Sequence, residues 1–360
     1  MGEKTFRPII IWLFIGAALV FAMVVIGGIT RLTHSGLSMV DWNLISGAIP
    51  PLSEGQWLNT FEQYQKFPEF QKLNYNFTLD DFKQIFWWEY LHRLLGRIIG
   101  IVFLIPYFYF LFKNKIDSKL NRKLLLILAL GAFQGFMGWY MVKSGLVDVP
   151  YVSHYRLAAH LITALITFVA IIWTAFGLMF HGRNTRGSFD RSLIRMTRIF
   201  IFALFIQIIY GAFVAGLKAG FVYNTFPLMG DSWMPEAVTA LNPLYLNFIK
   251  GLAGVQFAHR IIAYLVFALG IVIFFKGKSS DLGKTQKGGL ASMIIMLNIQ
   301  LLLGISALIF KVPVTLGVLH QVGAFMLVFF AIFFYHRLLA PKNNVKSKLE
   351  FFDSDIKKAS

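Results

Sequence analysis

The chain has 360 residues, of which 57% are hydrophobic and only 14% charged; it carries 38 Phe, no Cys and a formal net charge of +17. That composition lies well outside the soluble globular range and predicts an all-α polytopic membrane protein. The lack of cysteine excludes disulfides, thiolate metal sites and iron–sulfur clusters from the chain.

Eight apolar segments follow one another at roughly 9–30, 86–112, 124–142, 157–180, 199–216, 251–275, 289–310 and 314–335. Each is close to the twenty or so residues that cross about 30 Å of hydrocarbon. The first runs without a small-residue cleavage site into "GGITRLTHSGLSMV" and follows only two basic residues, so it reads as a retained helix. The missing Arg- and Ser-rich transit segment favours a bacterial inner membrane over an organelle.

With the N-terminus inside, the inner segments hold 22 of the 34 Lys and Arg and the outer segments eight, which predicts an N-in, C-in topology. The basic charge is thus a topology signal, and nucleic acid needs no part in it. The first outer loop, 31–85, has little helical period and is long for a connector, so it is expected to cap or gate something. A second outer loop, 217–250, is similarly rich in Gly, Pro and Trp.

The spans pair as two copies of four. The second span carries "YLHRLLGRIIGIVFLI" and the sixth "QFAHRIIAYLVFALGI"; the fourth carries "RLAAHLITALITF" and the eighth "GVLHQVGAFMLVF". His92 matches His259 and His160 matches His320, at offsets of 167 and 160 residues. An even number of crossings restores orientation, so this is a parallel repeat. It predicts two pseudo-symmetric four-helix bundles: 1–180, containing the outer loop, and 199–338, joined by an inner linker at 181–198 and followed by a tail at 339–360.

The ionisable residues left at the spans are Glu89, Arg93, Arg97, Arg156, Arg260 and four histidines, His92, His160, His259 and His320. A single membrane histidine is commonly a hydrogen bond between helices. Four in matched positions, all near the outer ends of their spans, fit metal ligation from facing helices. Zinc would want three or four protein ligands in each half, and copper would normally recruit Cys or Met. Two axial imidazoles fit haem, whose porphyrin supplies the other four nitrogens. Arg93 and Arg260 directly follow their histidines and suit haem propionates; Arg97 and Arg156 can equally snorkel to lipid phosphate.

The halves differ at one acid. Glu89, three residues before His92, is matched by Gln256. Glu89 is either the partner of a salt bridge to Arg93 or Arg97, or an acid/base group beside whatever His92 binds. The asymmetry suggests that the first half reacts and the second supports it.

The strings "WWEYLHRLLGR", "YRLAAHL", "AHR" and "LHQ", together with "RLTHSGLSMVDW", "GAIPP" and "YNTFPLMG" in the outer loops, resemble the haem A synthase family of the proteobacterial and mitochondrial type over residues 8 to 338. The resemblance implies oxidation of the C8 methyl of haem O to a formyl group by successive hydroxylations, with oxygen from water. It places substrate haem at His92 and His160 with Arg93, Glu89 near the methyl as the catalytic residue, and a haem b electron carrier at His259 and His320 with Arg260. Some members carry a cysteine pair in the first outer loop; this chain has none, so no cysteine-based step is available to it.

By the same resemblance, handover from the enzyme that makes haem O and to a terminal oxidase is expected, in contact with membrane lipid. Gly-rich strings such as "GAFQGFMG" pack helices within or between chains alike and fix no oligomeric state. A non-catalytic dihaem b-type electron carrier is the principal rival; it should place its haems at opposite membrane faces, whereas these histidines share one. A parallel-repeat transporter would bind no iron.

Overall fold

The computed structural model describes residues 3–39, 46–145, 152–181 and 190–339. Ten α-helices are present among them: α1 Glu3–Leu32, α2 Glu54–Gln65, α3 Pro68–Lys72, α4 Leu79–Phe112, α5 Ser118–Gly145, α6 His154–Met179, α7 Arg191–Leu217, α8 Leu252–Ser279, α9 Lys284–Ile309 and α10 Val314–Leu338. Eight of these are long and apolar enough to cross a membrane, and each covers one of the expected segments. The tail beyond 339, most of the inner linker and part of the first outer loop lie outside the described residues.

Helix α4 starts seven residues before the expected apolar segment. Thr78 and Asp81 form a capping box: Thr78 N donates to Asp81 Oδ2 at 2.9 Å and Asp81 N to Thr78 Oγ1 at 3.3 Å. Satisfying these orphan donors lets the helix begin in the charged stretch outside the hydrocarbon. The first outer loop is also more ordered than its weak period suggested. It contains α2 and α3, which set Phe61 and Tyr64 against Phe82, Phe86 and Tyr90 of α4 in a separate aromatic core. Tyr64 stacks on Phe82 with ring centroids 5.0 Å apart, and the Tyr90 hydroxyl donates to Ala48 O at 2.8 Å.

The long helices close into two rings. α1 packs on α4 and α6, and α5 on α4 and α6; likewise α7 packs on α8 and α10, and α9 on α8 and α10. Between the rings α1 meets α10, α6 meets α7 and α6 meets α10. Lipid tails are as apolar as Leu, so close packing and interhelical hydrogen bonds hold such helices together. Gly270 of α8 is filled by Leu297 of α9, where any Cβ would overlap it. Gln321 of α10 donates to Val24 O of α1 at 3.0 Å and lies against Gly28. Polar bonds of this kind between membrane helices contribute about 0.6 kcal/mol on average.

Candidate functional site

Glu89 is 2% exposed and fully engaged by donors. Arg93 Nη2 lies 2.5 Å from Oε1, while Ser38 Oγ and Met39 N each donate to Oε2 at 2.8 Å. Arg93 also donates to Met39 O at 2.7 Å, so acid and arginine together clasp the first outer loop. One turn apart on α4, they form the salt bridge that the sequence left as one of two alternatives.

The second ring repeats the clasp with different chemistry. Arg260 Nη2 donates to Tyr223 O at 3.0 Å and Nη1 to Leu228 O at 3.1 Å; Gln256 Nε2 donates to Tyr223 O at 3.0 Å. The residues three before and one after each first histidine therefore hold the outer loop of their own ring. Glu89 does so as an acceptor and Gln256 as a donor, a distinction that spacing alone does not show.

His92, His259 and His320 each lie against a glycine of another helix in their own ring. A Cβ at Gly27 of α1 would lie 3.2 Å from His92 Nε2, and one at Gly211 of α7 would lie 3.4 Å from His259 Cε1. A Cβ at Gly304 of α9 would come within 2.8 Å of His320 Cε1. His160, His259 and His320 sit six, seven and six residues into α6, α8 and α10. His92 sits thirteen residues into α4, because α4 begins farther out than its apolar segment. It lies within electrostatic reach of His160.

His259 and His320 have ring centroids 6.5 Å apart at an interplanar angle of 80°. Two imidazoles sharing one metal at metal–nitrogen distances of about 2.0 Å would place their centroids roughly 6 Å apart, so the spacing suits an iron held from both sides. No cluster of three or more His, Cys, Asp or Glu able to hold a metal occurs among the described residues.

Three glutamines join the site that the sequence reasoning had passed over. Gln300 Nε2 donates to His320 O at 2.9 Å, and Gln134 Nε2 donates to His160 O at 3.2 Å. Gln207 Nε2 lies 3.3 Å from His259 Nε2. A signal for the first two was present: "QGFMG" and "QLLLG" place Gln and Gly at the same spacing in the third and seventh spans. Arg156 instead stacks its guanidinium over Tyr140, 4.8 Å from the ring centroid.

The family profile of cytochrome oxidase assembly proteins, COX15-CtaA, matches residues 10–332. The chain belongs to the COX15-CtaA family. A heme A synthase of Flavobacterium johnsoniae is 47% identical over 340 residues, 93% of this chain and 99% of that protein. Those of Nitrosospira multiformis and Wolbachia pipientis wMel are 47% and 41% identical over 92% and 91% of the chain, and over 94% and 92% of their own lengths. These matches bear out the expected family. They do not favour the non-catalytic carrier within COX15-CtaA proteins, since the relatives are named as synthases.

Proposed function

We propose that this chain is a haem A synthase of a bacterial inner membrane, oxidising the C8 methyl of haem O to a formyl group. The observation that carries the reading is four helix-borne histidines, at least two of them spaced for one iron, in a chain whose full-length relatives are named heme A synthase. The overall change, methyl plus water to formyl, releases four protons and four electrons. Two successive hydroxylations divide it into two-electron steps.

In this reading His92 and His160 hold the substrate haem and Arg93 lies beside its propionates. Glu89 accepts protons as the methyl is oxidised, and its negative charge stabilises positive charge building on the macrocycle. Arg93, Ser38 and Met39 fix both carboxylate oxygens, so the base is oriented before substrate arrives. The clasped outer loop, pinned again by Tyr90 on Ala48, keeps bulk water from the site. His259 and His320, with Arg260, would hold a haem b, which when bound carries electrons away from the reacting half. Gln300 and Gln134 hold the backbone of His320 and His160 in register.

The two rings, 1–180 and 199–338, are read as a parallel repeat with a pseudo-two-fold axis between them. Supporting this, exchange of the rings interconverts the α1–α10 and α6–α7 contacts. Gly27 matches Gly211, and the left-handed residue after α1, His34 at φ 55°, matches Lys218 at φ 58° after α7. The basic inner segments support N-in, C-in, with the histidine sites toward the outer face. Haem O then arrives from its own synthase and haem A passes to a terminal oxidase.

Chromatography of haems extracted from cells carrying this chain as their only copy tests the proposal. Haem A accumulates if it holds; haem O alone would remove it.

A further inference from the structure

Gln321 joins the two rings beside both histidine sites. It directly follows His320 on α10, and its Nε2 donates to Val24 O of α1 at 3.0 Å. Its amide also rests on Gly28, where a Cβ would lie 3.0 Å from Oε1. One residue back along α1, Gly27 carries the ring of His92, whose Nε2 would be 3.2 Å from an added Cβ. Neighbouring residues of a helix point about 100° apart, so α1 is pressed from two sides at this level. On one side is a histidine of the first ring, and on the other the residue next to a histidine of the second.

The contact has little slack. One turn away on each helix, Leu32 of α1 fills Gly317 of α10, where any Cβ would come within 2.8 Å of it. His320 is held from its far side by Gln300 of α9, which donates to its carbonyl at 2.9 Å and lies 3.2 Å from Nδ1. Closely packed groups pass a displacement on, and His92 and Gln321 both meet glycine backbone in place of a yielding side chain.

The corresponding positions of the α6–α7 seam carry different residues. His160 is followed by Leu161, and Gly211, which lies against His259, is followed by Ala212. Neither side chain can form a hydrogen bond, so a seam between the rings does not by itself call for an amide. Nor does Val24 O need one, because the helical ladder of α1 supplies its ordinary donor.

We infer that Gln321 is a positioning residue that couples the two histidine sites, so that a porphyrin taken up between His92 and His160 alters the surroundings of His320. The inference rests on the synthase reading, which assigns a haem to each site. The ring of His92 settles on its metal and bears on Gly27, and Gln321 carries the shift of α1 to the backbone of His320. The second site thereby registers whether the first is filled. Such coupling is reciprocal and commonly amounts to about five- to 150-fold in affinity.

The test uses the purified full chain carrying haem b, with zinc protoporphyrin IX as a fluorescent, diamagnetic probe of the first site. In the unaltered chain the probe is expected to bind, His92→Ala to remove that binding, and binding to shift the electron paramagnetic resonance g-values of ferric haem b. Gln321→Met keeps the length that packs on Gly28 but cannot donate to Val24 O. Gln321→Leu combined with Gly28→Ala imports the residue pair of the other seam. Both are expected to retain haem b and the probe while the shift is lost. A shift that persists in either variant, or no shift in the unaltered chain with probe bound, overturns the coupling alone. Loss of the shift only in step with loss of haem b or probe does the same. An unaltered chain with no haem b signal, or with no probe binding that depends on His92, overturns the assignment of a haem to each site and the coupling with it.

Discussion

Arg93 and Glu89 form a buried ion pair, Nη2 to Oε1 at 2.5 Å, with side chains 7% and 3% exposed. Two charges removed from water this far cost several kcal/mol each before attraction and hydrogen bonds offset them. Here the offset includes Ser38, Met39 N and Met39 O, so the pair is bound into the outer loop as well as to itself. The matching position in the second ring spends a neutral amide on the same loop contact. A neutral Gln suffices to hold the loop in the second ring, so the loop contact by itself does not require a charge at Glu89.

Replacement of that charge should therefore separate chemistry from assembly. In Glu89→Gln the amide oxygen still accepts from Ser38 and Met39, and in Glu89→Ala both contacts go. Both variants are expected to retain haem b while haem A formation falls by about a hundredfold or more, the range expected for loss of a positioned general base. Haems extracted from cells with each variant as the only copy check this; normal haem A levels would take Glu89 out of the reaction.

The second ring should lose its haem when either facing imidazole is removed. His259→Ala or His320→Ala breaks the 6.5 Å pair, and the pyridine haemochrome of the purified protein is expected to show less haem b than the unaltered chain. An unchanged content would place the haem elsewhere.

Glycine at 304 leaves room for a histidine ring. An added Cβ would sit 2.8 Å from His320 Cε1, and that ring is already tethered through Gln300, so it cannot simply swing aside. Gly304→Val is expected to lower haem b content and shift the haem absorption band, whereas Gly100→Val, on a glycine with nothing within 4 Å, should leave both unchanged. Equal spectra for the two variants would show that the His320 ring is not held by α9.

Much of this was legible in one sequence because the membrane leaves few options for polar groups. Eight apolar runs became eight long helices, and Arg93 and Arg260, each directly after a histidine, both donate to a backbone carbonyl of an outer loop. What was hidden lay where side chains act through backbone. The start of α4 was masked by Asp80, Asp81 and Lys83, whose charges end an apolar window although Thr78 and Asp81 cap a helix there. The folded character of the outer loop depends on Phe61 and Tyr64 meeting Phe82 across sequence, and no local period reports such contacts. Gln134 and Gln300 looked like ordinary span residues until the carbonyls of His160 and His320 appeared beside them.

The most direct measurement is identification of the haems bound to and made by the purified full chain. The account predicts a Soret band, haem b that survives Glu89→Gln, and conversion of haem O to haem A that does not. A protein with no Soret band, or one that binds haem and returns haem O unchanged, would contradict it.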